Sequence, residues 1–124
     1  GKVIPLPVSG AFHSPMMVKG AKVLGDVISP IEFRNAAVPI VLNRTAQPET
    51  RVDELKSNLP LQVVSPVRWI ETVTYLKDTV GAVVEIGPGK VLTGLVKKIA
   101  PELPVQTIND SVSATEWLTS IVEH

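Results

Sequence analysis

The sequence predicts an α/β fold in which short parallel strands alternate with helices. Its 124 residues include 11 prolines and 8 glycines, which divide the chain into short segments. Between them, β-type apolar runs alternate with segments of helical spacing. Strands that alternate with helices favour a parallel sheet with right-handed crossovers. Because three short strands are few for such a sheet, we expect strands outside this sequence to complete it.

The chain begins with an extended segment and a helix. Val3–Val8 contains two prolines that cannot donate to a β-ladder, so we expect an edge strand or a crossing linker. A helix is predicted over Met16–Ile28, because Pro15 suits a first helical turn and apolar residues follow at three- and four-residue spacing. These apolar residues are Met17, Ala21, Leu24 and Ile28.

The middle of the chain predicts a strand, a loop and two helices. Val38–Leu42 is a short apolar strand, and a polar loop follows it through Arg51. One or two helical turns are expected over Asp53–Leu59. The next helix begins after Ser65-Pro66 and reaches Asp78. Its apolar face carries Trp69, Val73 and Leu76.

The last part of the chain predicts two strands and two helices. Ala82–Ile86 is expected to be a mostly buried strand, and Gly87–Gly89 turns the chain into a helix over Lys90–Ala100. Val105–Ile108 is the last strand, and a terminal helix reaches Ile121. The candidates for its cap are Asn109, Asp110 and Ser111. Its inward-facing residues are expected to be Val112, Leu118 and either Ile121 or Val122.

Composition excludes several classes of function. Twelve basic and 12 acidic residues give a formal net charge of +0, so no global field attracts nucleic acid or an anionic membrane, and neither is expected as a partner. The absence of cysteine excludes disulfides, thiolate metal sites and cysteine nucleophiles. No apolar run approaches the ~18 residues that span a bilayer. These features fit a cytoplasmic protein.

Two local patterns each have a functional and a structural interpretation. Gly87–Gly89 lies between a strand and a helix, where backbone amides could bind a phosphate. The lysine of a P-loop is absent there, so a tight turn is favoured.

Lys97 and Lys98, which follow Lys90, form a basic edge on one helix. Such an edge is more often a solvated face than a docking site for an acidic partner, and both interpretations stay open.

His13 is the candidate for chemistry. It lies in a loop of small residues that leads into a helix, and catalytic groups commonly lie on such loops. An imidazole can act as a general base near neutral pH. The other histidine, His124, ends the chain, and without cysteine no metal ligand set is available, so no metal site is predicted. From spacing alone, a loop histidine bonded to backbone is favoured.

Several segments together resemble one family. They are Gly10–Met17, Pro39–Asn43, Gln62, Pro66–Trp69 and Glu85–Leu95. In this order they are similar to the C-terminal part of the malonyl-CoA:acyl carrier protein transacylases of type II fatty acid synthesis, and the similarity runs over essentially the whole chain. The acyltransferase domains of polyketide synthases share the histidine loop and the Gly-Pro-Gly-Lys-Val-Leu turn, so they are kept as an alternative.

The resemblance implies a fold and a reaction. Residues 9–124 would be the C-terminal part of a large, α/β-hydrolase-like acyltransferase subdomain, and residues 1–8 the last strand of a small ferredoxin-like subdomain. A serine would take malonyl from the substrate malonyl-CoA as an ester, and the phosphopantetheine thiol of acyl carrier protein would then accept it. The reaction needs no cofactor.

The resemblance also assigns roles to single residues. His13 corresponds to the catalytic base, and Gln62 to the residue whose backbone carbonyl orients its imidazole. Phe12 corresponds to a position where a bulky side chain narrows the acyl pocket and favours malonyl over methylmalonyl, an effect of about 1 to 3 kcal/mol. Lys97 and Lys98 are candidates to dock the acidic acyl carrier protein.

The sequence has no match for the rest of the family's site. The family's nucleophile elbow, oxyanion-hole glutamine and malonyl-binding arginine lie in its N-terminal half, and no Gly-x-Ser-x-Gly motif occurs here. We therefore expect an N-terminal half as a further partner, and no activity without it. The location would be cytoplasmic, or plastid or mitochondrial in a eukaryote. A separate non-catalytic module that docks acyl carrier protein and an unrelated α/β protein stay open as alternatives.

Overall fold

The computed structural model describes Val3 and residues 10–122, without the side chains of residues 121 and 122. The chain divides into two compact units, residues 1–69 and 70–124. The elements of the first are a 3-10 turn (Pro15–Met17), α1 (Val18–Ile28), β1 (Ile40–Val41), β2 (Pro48–Glu49) and α2 (Val52–Val64). Those that follow are α3 (Trp69–Thr79), β3 (Val83–Ile86), α4 (Val91–Ile99), β4 (Val105–Ile108) and α5 (Ser111–Val122). The strand expected at Val3–Val8 lies, apart from Val3, outside the described residues.

Helices α1 and α2 pack together and form the core of the first unit. The apolar stripe predicted for α1 is confirmed, because Ala21 and Ile28 are buried. The Pro60 ring packs against α1 at Gly25, where an added Cβ would lie 3.6 Å from the ring, an ordinary van der Waals distance. Lys56 of α2 donates to the carbonyls of Ser29 (2.6 Å) and Ile31 (2.9 Å), which follow the end of α1.

Helix α2 is longer than the sequence predicts. The expected turns over Asp53–Leu59 are the first part of a 13-residue helix that continues through Pro60. A proline lacks the amide that would bond to the carbonyl four residues earlier, which is why a helix is expected to end there. Packing against α1, with Leu55 buried and Pro60 next to Gly25, outweighs that loss.

The strand expected at Val38–Leu42 is reduced to β1, and it is not part of a parallel sheet. Ile40 pairs with Glu49 and Val41 with Pro48 in an antiparallel register. The partner strand β2 lies inside the segment predicted to be a loop. The chain turns back at Ala46, which has a φ of 54° and donates to the carbonyl of Leu42 at 2.8 Å. A local turn therefore determines the pairing, which apolar content alone did not indicate.

The second unit confirms the parallel α/β arrangement. Strands β3 and β4 pair in parallel from Val83 with Val105 to Ile86 with Ile108, and α4 and α5 pack on β4. The Thr93 and Thr107 hydroxyls, 2.8 Å apart, join α4 to β4.

Two expectations about burial in the second unit are wrong. Strand β3 is not mostly buried, since Ile86 is 77% exposed and its pairing with β4 forms a sheet of two strands among the described residues. Val112 and Leu118 of α5 do not face inward, because both are more than half exposed. The side chains of Ile121 and Val122, expected to join them, lie outside the described part of the chain. Among the described side chains of that helix, the half-buried ones are Ser113, Ala114 and Trp117. Ser113 and Trp117 line a cavity next to β4.

Candidate functional site

His13 is held at the C-terminal end of α2. Its backbone amide donates to the carbonyl of Val63 at 2.8 Å. Its φ is 64°, a left-handed conformation that is uncommon outside glycine. The Ser14 hydroxyl donates to the Ala11 carbonyl at 2.7 Å and closes the loop around it. The histidine loop is therefore anchored to the end of a helix 49 positions away in the sequence.

The imidazole uses carbonyl groups at that helix end. Nδ1 lies 3.0 Å from the carbonyl oxygen of Gln62 and 3.2 Å from that of Ser65. The last four carbonyls of a helix have no partner within the helix, so they are available to such a donor. Because a carbonyl oxygen only accepts, Nδ1 donates its hydrogen, and in the neutral imidazole Nε2 then carries the lone pair. His13 is exposed, so the ring has the arrangement that a general base requires.

Gln62 contributes its side chain as well as its carbonyl. Its Oε1 accepts a hydrogen bond from the backbone amide of Asn43 at 3.0 Å. The carbonyl of Asn43 in turn accepts from the amide of Arg68 at 2.8 Å. The side-chain bond crosses 19 positions, and no local pattern in the sequence indicates it.

Phe12 precedes His13 and is 60% exposed. Its ring covers Gly10, where an added Cβ would lie 2.9 Å from the ring's Cε2. The first unit therefore contains three of the predicted site residues: Phe12, His13 and Gln62. The contact between His13 and Gln62 is a direct hydrogen bond.

Lys97 and Lys98 lie in the second unit. Both are exposed in the last turn of α4, where positive charge complements the negative end of the helix dipole. This placement suits a solvated basic edge and equally an electrostatic contact with an acidic partner.

The start of α4, which follows the Gly87–Gly89 turn, is capped by a carboxylate of this chain. Glu85 accepts from the backbone amides of Leu92 (3.1 Å) and Thr93 (2.8 Å) at the start of α4. The Thr93 side chain, and then these amides, lower the pKa of Glu85 below its usual value. Gly87 and Gly89 have φ values of 141° and 99°, which glycine adopts readily. The contacts favour the tight turn over a phosphate cradle, and the capping role of Glu85 was not anticipated.

The described part of the chain has neither a metal-ligand cluster nor a membrane-spanning helix. No group of three or more His, Cys, Asp or Glu side chains there could hold a metal ion. Within the same residues, no helix combines the length and apolar character needed to cross a membrane.

Comparison with known proteins places this geometry in context. No protein-family model matches the sequence. A malonyl CoA-acyl carrier protein transacylase of Staphylococcus aureus is 40% identical over 117 residues, which is 94% of this chain and 38% of that protein. The enzyme of the same name from Bacillus subtilis is 40% identical over 110 residues, covering 88% of this chain and 35% of the relative.

Solved structures agree with these relatives. The malonyl-CoA:ACP transacylase of Synechocystis matches with a TM-score of 0.85 and 36% identity, over 91% of this chain and 39% of that one. A malonyl-transacylase in complex with its type II PKS acyl-carrier protein matches with a TM-score of 0.87 and 37% identity, over 94% of this chain and 38% of the other. The sequence thus spans less than two fifths of the length of each of these proteins.

Proposed function

Since the chain is homologous to the C-terminal part of the malonyl-CoA:acyl carrier protein transacylases, we propose that it carries the catalytic base of such an enzyme. The enzyme would transfer malonyl from coenzyme A to the phosphopantetheine thiol of acyl carrier protein in fatty acid biosynthesis. The observation that carries the proposal is the His13 imidazole, whose Nδ1 lies 3.0 Å from the Gln62 carbonyl. This bond leaves Nε2 as the proton acceptor.

His13 would act twice in each half of the reaction. Nε2 takes the proton of a serine hydroxyl while the serine oxygen attacks the malonyl thioester, and the imidazolium then protonates the departing thiol of coenzyme A. In the second half, Nε2 takes the proton of the phosphopantetheine thiol as its sulfur attacks the seryl ester. That proton returns to the serine oxygen when the ester breaks, so serine and His13 are both regenerated.

The remaining components have separate roles. The serine, the oxyanion hole and the group that binds the malonyl carboxylate would come from an N-terminal half, a partner without which this chain is inactive. Residues 9–124 would belong to the large α/β-hydrolase-like subdomain and residues 1–8 to the small ferredoxin-like subdomain.

Phe12 would narrow the acyl pocket, and Lys97 and Lys98 would contact the acidic carrier protein. Malonyl-CoA is the substrate, no cofactor is needed, and we place the protein in the cytoplasm.

One observation favours a second candidate. One of the solved neighbours is a malonyl-transacylase bound to a type II PKS acyl-carrier protein, so the carrier could belong to polyketide synthesis. Competition between fatty acid and polyketide carrier proteins for transferred malonyl separates the two candidates.

The role of His13 is tested by substitution. This chain would be fused to the N-terminal segment of the Staphylococcus aureus relative that it does not cover. The His13→Ala substitution should lower the rate of malonyl transfer by a factor of about 10² to 10⁴, the usual contribution of general acid–base catalysis. His124→Ala, which removes the other histidine, is the matched control and should leave the rate unchanged. A His13→Ala fusion with a near-normal rate would remove His13 from the mechanism.

A further inference from the structure

We propose that the side chain of Gln62 is a positioning residue that fixes the carbonyl to which His13 bonds. This inference rests on the proposed role of His13 as base. Gln62 is bonded in two places: its carbonyl lies 3.0 Å from His13 Nδ1, and its Oε1 accepts from the Asn43 amide at 3.0 Å. One residue therefore links the imidazole to a second segment of backbone.

The position of Gln62 explains why such a link is useful. Gln62 lies in the last turn of α2, which ends at Val64. Carbonyls in the last turn have no intrahelical partner, and helix ends fray, so the helix itself does not hold this carbonyl in one direction. A side chain tied to a fixed neighbour supplies the missing constraint.

Asn43 is such a fixed neighbour. It follows Leu42, which is 5% exposed and whose amide donates to the carbonyl of Gln47 at 3.1 Å. The carbonyl of Asn43 accepts from the amide of Arg68 at 2.8 Å. The second acceptor of Nδ1, the Ser65 carbonyl at 3.2 Å, lies on the segment between α2 and Arg68. The backbone of Asn43 is thus bonded to Gln62 and to Arg68. The Ser65 carbonyl lies between these two residues in the sequence.

The proposal predicts an effect on the imidazole that a purely structural role does not. If Gln62 only stabilised the end of α2, its loss would lower the melting temperature and leave the His13 tautomer as it is. If Gln62 positions the carbonyl, its loss weakens the bond to Nδ1, and the hydrogen is then shared between the two ring nitrogens.

The experiment uses nitrogen NMR of histidine. This chain, labelled with ¹⁵N-histidine and carrying His124→Gln, is mixed with the unlabelled N-terminal segment of the Staphylococcus aureus relative, so His13 gives the only imidazole signals. In the wild type the Nδ1–H tautomer should dominate. Gln62→Met keeps the length of the side chain without an acceptor, and it should lower the ratio of Nδ1–H to Nε2–H about fivefold, since a hydrogen bond is worth roughly this factor.

Two further variants separate positioning from stability. Gln62→Glu keeps an oxygen that can accept from Asn43 and should restore the tautomer ratio. Leu55→Val shortens a buried side chain of α2 that is not part of this hydrogen-bond network, so it should lower the melting temperature and leave the ratio unchanged. A wild-type ratio in folded Gln62→Met, or a ratio that Gln62→Glu does not restore, would overturn the proposal.

A failure of the positioning role can be distinguished from a failure of the proposed function. In the fusion, Gln62→Met should lower kcat about fivefold with little change in KM, because a positioning residue acts on the imidazole and not on substrate binding. If His13→Ala retained full transfer, the proposed function would fail whatever the tautomer ratio. If His13→Ala abolished transfer and Gln62→Met left both the ratio and kcat unchanged, only the positioning role would fail.

Discussion

At the residue scale, the backbone of His13 is the feature that most distinguishes the site. A φ of 64° costs a non-glycine residue roughly 1 to 3 kcal/mol and persists only where its surroundings enforce it. The amide bond to the Val63 carbonyl and the ring bonds to Gln62 and Ser65 provide that enforcement. The strained backbone therefore belongs to a residue whose Nδ1 is bonded to backbone carbonyls and whose Nε2 has no part in those bonds.

Phe12 gives a prediction about the acyl group. Replacing Phe12→Ala should raise the transfer of methylmalonyl relative to malonyl about tenfold, because the wider pocket no longer excludes one methyl group. The measurement is the ratio of the two kcat/KM values in the fusion enzyme.

The matched control for that prediction is a second aromatic residue of the first unit. Phe33, whose ring lies 5.6 Å from the Lys56 ammonium, has no assigned part in the pocket. Phe33→Ala should leave the ratio unchanged. A Phe12→Ala variant that is as selective as the wild type would show that the ring does not define the acyl pocket.

At the element scale, the junction between β3 and α4 depends on one carboxylate. The Thr93 hydroxyl, and then the backbone amides of Thr93 and Leu92, lower the pKa of Glu85 below its usual value of 4.5. Because the pKa is lower in the folded state, the ionised carboxylate stabilises the fold above about pH 4.5, and this contribution is lost as the pH falls below it.

Glu85→Gln should therefore lower the melting temperature at pH 7. The difference from the wild type should shrink as the pH is lowered from 5 towards 3. Glu102→Gln is the control, because Glu102 is an exposed partner of Lys77 at 3.6 Å and such pairs contribute little. If the melting temperature of Glu85→Gln stayed below that of the wild type by the same amount from pH 5 to pH 3, the ionised carboxylate would not be what stabilises the junction.

The elements also show what the sequence could and could not predict. β3, α4 and β4 were found within about one residue because glycine and proline mark their ends. The antiparallel pairing of β1 was not predicted, because it depends on the turn at Ala46. The second half of α2 was not predicted either, because it depends on the contact between Pro60 and Gly25, which are far apart in the sequence. For the site, the histidine loop was visible in the sequence, whereas the bond from Gln62 to Asn43 exists only once the chain has folded.

At the scale of the whole molecule, both units leave apolar side chains exposed. In the first unit these include Met16 and Val23, and in the second Ile86 and Val91, each more than half exposed. In folded proteins, large exposed apolar patches commonly mark surfaces that contact another protein or chain segment. The exposed residues fit a chain that spans 38% of the length of its Staphylococcus aureus relative.

The most direct test of the account is malonyl transfer to acyl carrier protein by three samples. They are this chain alone, the N-terminal segment of the Staphylococcus aureus relative alone, and the fusion of the two. The account predicts transfer by the fusion only, because the base and the nucleophile then meet in one enzyme. Transfer by this chain alone would contradict it, since that activity requires a nucleophile that the account places outside the chain, and a folded fusion without activity would contradict it equally.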